Sequence, residues 1–93
     1  VTEVASRLAE IRDRIDAACR RAGRDPAKVR LVGASKLQPV ESLAAAYAAG
    51  LRRFGENRVQ EGLAKAPALA ADVEWHLLGA LQSNKVRAAL DLF

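Results

Sequence analysis

Lys36 closes the apolar run VRLVGAS, where VGASKLQP turns toward Pro39. A lysine at that point has two uses. With its head in water it simply marks the end of a strand. Partly desolvated among small residues, it has a depressed pKa, and the neutral amine attacks a carbonyl to form a Schiff base. Two other stretches place polar groups at comparable points: FGENRVQEG, with Glu56 and Asn57, and EWHLLGALQSNK, with His76, Gln82, Ser83, Asn84 and Lys85. Each also has a plain structural use. Asn57 suits the N-cap of the helix that follows, and Ser83 or Asn84 suits the next. His76, between Trp75 and Leu77, suits a hydrogen-bonded core position. Beside a reactive amine, the same residues would form a polar rim.

The elements that must position these residues follow from periodicity. Val4, Leu8, Ile11, Ile15, Ala18 and Ala22 recur at steps of three and four, which predicts a helix over about 3–22. Gly23 ends it and Pro26 prevents a restart. VRLVGAS reads as a short buried strand, and PVESLAAAYAAG as a helix opened by Pro39 and closed by Gly50. The unit then repeats. LRRFG and VEWHLLG read as strands, NRVQEGLAKAPALAA as a helix interrupted near Pro67, and QSNKVRAALDLF as a third helix with room to run into a fourth strand.

Strand and helix in alternation predict an α/β fold with a parallel sheet. No GxGxxG turn follows the first strand, which disfavours a dinucleotide-binding sheet and favours a barrel. A complete (β/α)8 TIM barrel takes about 250 residues. These 93 residues are expected to form one partial β/α barrel, a leading helix and about three strand-helix units, with the C-terminal half of the barrel absent. Val1 in place of methionine fits a valine-decoded start, a processed end or a shortened piece.

Along the expected first strand, Val32, Ala34 and Lys36 share one face and Leu31, Gly33 and Ser35 the other. The C-terminal ends of barrel strands carry the chemistry, because the loops there build the pocket. Lys36 falls at that end.

Composition narrows the partners. The formal charge is +4, with 11 arginines and 4 lysines, but acidic residues are interspersed with them, as in AEIRDRIDAACRRAGRD. That pattern favours a solvated helix face over a nucleic-acid surface, and a phosphorylated small molecule would suit the excess positive charge equally well. One cysteine, Cys19, excludes an internal disulfide and fits a cytoplasmic setting. No run of about 18 apolar residues predicts a membrane span.

ASK after the first strand, RRFGENRVQEG across the second and EWHLLGALQSNK across the third closely resemble the pyridoxal phosphate homeostasis protein family, over most of the chain and in order. The resemblance implies a fold-type III barrel like the N-terminal domain of alanine racemase. It implies pyridoxal 5'-phosphate as cofactor, attached to Lys36 as an aldimine, with Asn57, His76, Gln82, Asn84 and Lys85 also at the cofactor. Gly33 and Ala34 would leave space for the planar ring. The implied role is cofactor binding and vitamin B6 supply without catalytic turnover, with apo enzymes that use the cofactor as partners. A racemase-like enzyme is the alternative, and an arginine-rich nucleic-acid or protein-binding module a third reading. Gln38 stands where many relatives carry a second lysine, and the family's phosphate-binding residues belong to its C-terminal half.

Overall fold

The computed structural model describes residues 2–93, and the side chains of 3–93. Helix α1 (Thr2–Ala22) leads into β1 (Gly33–Ala34), α2 (Val40–Ala48), β2 (Arg53–Glu56), α3 (Val59–Lys65), β3 (Glu74–Leu77) and α4 (Val86–Leu90). Short 3-10 turns occupy Pro26–Lys28, Ala66–Ala68 and Ser83–Lys85. The strands form one parallel sheet in the order β1-β2-β3. The α/β architecture with a parallel sheet is therefore present as the alternation predicts.

Glycines end the first two helices by one mechanism. Gly23 has φ 66° and Gly50 φ 108°, values that cost a residue without Cβ little. Arg24 N–H donates to the Cys19 carbonyl at 2.8 Å and Leu51 N–H to the Ala46 carbonyl at 3.0 Å. Gly23 and Gly50 N–H donate to the Arg20 and Tyr47 carbonyls. Both ends are Schellman motifs, which satisfy the last helical carbonyls and reverse the chain toward the next strand.

The register fixes which residues share a face. Gly33, Phe54 and Trp75 are in line, as are Ala34, Gly55 and His76. Phe54 and Trp75 are buried with ring centroids 5.8 Å apart, and they join Leu8, Leu43, Leu51 and Val73 in the core. That face is the one the helices cover. The opposite face carries Arg53, Gly55, Glu74 and His76. At the lower end of the sheet, Arg52 lies over the Tyr47 ring, 3.8 Å from its centroid, and pairs with Asp72.

Two expectations are corrected here. The α1 stripe follows Leu8 and then shifts to Ile15 and Cys19, leaving Ile11 45% exposed and Ala18 and Ala22 exposed. The 21-residue α1 packs against α2 and the Pro26–Lys28 turn, and its covered side runs through Leu8, Ile15 and Cys19. The strand expected over 29–35 is paired as strand only at Gly33–Ala34. Its neighbour β2 begins at Arg53, directly after the Gly50 reversal, so upstream residues find no ladder partner on that side. Among the described residues, no helix is long and apolar enough to cross a membrane.

Candidate functional site

At the C-terminal end of β1 the chain turns sharply. Ser35 N–H donates to the Gly55 carbonyl at 2.8 Å, the last ladder bond, and Gln38 N–H donates back to the Ser35 carbonyl at 3.1 Å. Lys36 and Leu37 are the corners of this four-residue turn. Leu37 has φ 61°, a value that type II turns require at their third position and usually fill with glycine or asparagine. In the left-handed region a residue with a Cβ is strained by roughly 1–2 kcal/mol. Leu37 is 86% exposed, so packing of its side chain does not offset that cost.

Lys36 is thus displaced from the strand face onto a turn. It is exposed, and its amine has no hydrogen-bond or ion-pair partner among the described residues. It lines a cleft of about 290 Å³ with Leu37, Asn57, Arg58 and Glu61. Asn57 and Arg58 also line an adjoining cleft of about 370 Å³, together with Gln82 and Lys85. Four of the expected site residues, Lys36, Asn57, Gln82 and Lys85, are therefore gathered around two neighbouring hollows that share Asn57 and Arg58.

Gly79 sets the spacing between the walls of these hollows. A Cβ built on it would lie 2.6 Å from the Asn57 carbonyl oxygen, a backbone atom that cannot move aside alone. Gly79→Ala is expected to push the loop carrying Gln82 and Lys85 away from Asn57 and to destabilise the protein by about 1–3 kcal/mol. Denaturant unfolding of the full-length variant checks this, and unchanged stability would contradict the close approach.

His76 and Asn84 line neither cleft. His76 lies on the open sheet face, where Nε2 is 2.8 Å from Glu74 Oε2, and Arg53 Nε donates to the same oxygen at 2.9 Å. The hydrogen bond from His76, and secondarily the Arg53 guanidinium, hold the Glu74 carboxyl below its ordinary pKa despite partial desolvation. A carboxylate depressed in this way contributes stability above its unfolded pKa and loses it as pH falls through the folded value. His76→Ala is expected to raise the Glu74 midpoint, as read by carboxyl NMR titration; an unmoved midpoint would contradict this cause.

The helix-capping readings fail. Arg58 rather than Asn57 is the N-cap of α3, and it makes no side-chain cap bond. Lys85 rather than Ser83 or Asn84 is the N-cap of α4, also without a side-chain cap bond. Glu56, expected on the polar rim, is instead fully buried, because strand alternation sends it to the side of Phe54. Gly33 does not make room for a ligand ring. Its missing Cβ leaves room for Leu51 Cδ2, 2.7 Å from where that atom would lie.

Beneath Lys36 lies a cluster that the sequence reading did not find. Lys65 Nζ, at the end of α3, donates to the Ser35 carbonyl and to Glu56 Oε2, both at 2.9 Å. Ser35 Oγ, itself buried, hydrogen-bonds Glu56 Oε2 and lies 3.1 Å from the Gly55 carbonyl. Glu56 Oε1 is buried with no partner among the described residues. No local signal pointed to Lys65: its distance from Glu56 spans a loop and two helical turns, and its reach depends on where α3 starts.

The Lys36 cleft sets a primary amine beside an amide, a guanidinium and the Glu61 carboxylate, and the adjoining cleft adds the Lys85 ammonium. That chemistry fits a small aldehyde bearing an anionic group. Among the described residues no group of three metal-ligating side chains occurs.

No family model matches the sequence. Curated relatives do. The pyridoxal phosphate homeostasis protein of Escherichia coli (strain K12) is 42% identical over 97 residues, covering 100% of this chain and 42% of that protein. The protein of the same name from Aquifex aeolicus is 50% identical over 82 residues, covering 87% of this chain and 36% of that protein. Among solved structures, PipY of Synechococcus elongatus PCC7942 with PLP bound superimposes with a TM-score of 0.78 at 46% identity, covering 97% of this chain and 39% of PipY. The chain spans about two fifths of the length of these curated relatives.

Proposed function

This chain belongs to the pyridoxal phosphate homeostasis protein family, and from that membership we propose that the protein it forms part of binds pyridoxal 5'-phosphate covalently through Lys36 and supplies it to apo enzymes in the cytoplasm. The observation that carries the reading is the exposed Lys36 amine at the end of β1, facing the same cleft as Asn57 and Arg58. PipY, a relative at 46% identity, has been solved with PLP bound.

In this reading the sheet is the opening of a β/α barrel of fold-type III. The parallel order β1-β2-β3, with the helices on one face, supports it. The polar row Arg53, Glu74 and His76 on the other face would then point into the barrel, and Lys36 would stand at the end where βα loops build a pocket.

The residues divide the work by their chemistry. The cofactor supplies an aldehyde carbon open to attack by an amine. Lys36 provides that amine on a fixed turn. Asn57 offers amide hydrogen bonds that orient a ring substituent, and Gln82 adds a second amide across the adjoining cleft. Arg58 and Lys85 raise the local positive potential that draws an anionic group. Asn84 flanks Lys85, and His76, held by Glu74, sits one strand further into the open face.

Supply is favoured over turnover because moving a proton at an amino acid's α-carbon needs a positioned acid or base opposite the amine. The curated relatives are named for homeostasis of the cofactor, which agrees with supply. The test is chiral analysis of amino acids incubated with the PLP-loaded, full-length protein. Retained configuration, with a visible cofactor band that persists after desalting, is the expected result. Racemisation that disappears in Lys36→Ala would overturn the supply reading in favour of a racemase-like enzyme.

A further inference from the structure

The Lys36 turn is strained and exposed, yet one of its atoms is held from inside the protein. The Ser35 carbonyl closes the turn by accepting from Gln38 N–H at 3.1 Å, and the same oxygen accepts from Lys65 Nζ at 2.9 Å. Lys65 is fixed in turn by Glu56 Oε2 at 2.9 Å, and Glu56 by the Ser35 hydroxyl. The three residues make a closed ring of bonds: Ser35 carbonyl, Lys65 ammonium, Glu56 carboxylate, Ser35 hydroxyl.

A buried ion pair is a poor device for stability alone, since well-packed apolar residues usually do as well without the desolvation cost. Glu56 has 0% exposure and an unpartnered second oxygen, so the cost is real here. What an apolar pair could not supply is a cation aimed at the Ser35 carbonyl. Strained backbone persists where its surroundings over-determine it, and such strain gathers at functional turns. Leu37 supplies the strain and the ring supplies the constraint.

We propose that Glu56 and Lys65 are positioning residues that clamp the Ser35 carbonyl and so hold the Lys36 turn, aiming the Lys36 amine into its cleft. The proposal rests on the reading of Lys36 as the attachment point for pyridoxal 5'-phosphate. It extends that reading to two residues that do not touch the cofactor.

The experiment uses the full-length protein as wild type, Lys65→Met, Lys65→Arg and the double variant Glu56→Gln/Lys65→Met. The double variant removes both charges together, so it keeps a folded species available if Lys65→Met alone unfolds. Each apo protein is mixed with pyridoxal 5'-phosphate, the rise of the visible cofactor band is timed, and circular dichroism and unfolding are recorded alongside. The folded double variant is expected to add the cofactor about 10²-fold more slowly than wild type, the scale of a misplaced reacting group. Lys65→Arg, which keeps a cation within reach of both oxygens, is expected to recover most of the rate. A role confined to stability would move unfolding without moving the rate in a folded variant. A folded double variant that reacts at the wild-type rate would overturn the clamp and leave the cofactor reading intact. A wild-type protein that forms no band would instead overturn the reading on which the clamp rests.

Discussion

Replacing Lys36 by alanine in the full-length protein is expected to abolish covalent retention of pyridoxal 5'-phosphate while changing unfolding free energy by no more than about 0.5 kcal/mol. The two halves of this result have separate causes. The amine is the attacking group, and no other side chain of the Lys36 cleft is a primary amine. Stability is spared because Lys36 is exposed and its amine is bonded to nothing among the described residues. Absorption after desalting reads the first half and denaturant unfolding the second. Retention at the wild-type level would contradict the site; a large loss of stability would contradict the exposed placement.

Lys65→Met is expected to cost about 3–5 kcal/mol of stability, because it leaves the Glu56 carboxylate buried without its cation. Lys65 is largely shielded, with 15% of its side chain exposed against 0% for Glu56, so solvent screens the pair little. Ser35 alone cannot compensate, since its one hydroxyl proton serves one oxygen and Glu56 Oε1 is already unpartnered. Adding Glu56→Gln removes the orphaned charge and is expected to restore most of the stability. Equilibrium unfolding of the single and double variants decides this, and additive losses would contradict the coupling of the pair.

Much of this architecture was legible because it rests on local rules. Gly23 and Gly50 stand where the helix periodicity stops, and each adopts the positive φ that a Schellman ending needs. The alternation that places Phe54 and Trp75 on one face also brings Gly55 and His76 to the other. Lys36, Asn57, Gln82 and Lys85 follow strand ends, so a parallel sheet brings them to one rim. The failures concern residues whose roles depend on tertiary distance. Glu56 is hydrophilic and lies one residue past the expected strand LRRFG, so the alternation that carries it inward with Phe54 applies only once β2 runs on to Glu56. Leucine at position 37 gives no sign of a left-handed turn, since the residues that usually mark one are glycine and asparagine. Lys65 carries no local mark, and it reaches Ser35 because α3 starts at Val59 and brings its last residue back over β1.

The sheet also has a physical consequence for how the chain is handled. Both β1 and β3 present an unpaired edge among the described residues, and parallel strand edges are templates for further pairing. Cofactor measurements therefore belong on the full-length protein.

The most direct test of the central claim is borohydride reduction of the full-length protein loaded with pyridoxal 5'-phosphate, followed by peptide mapping. The account predicts a single major pyridoxyl adduct, on the Lys36 peptide. Adducts absent from that peptide, or carried instead by Lys65 or Lys85, would contradict it.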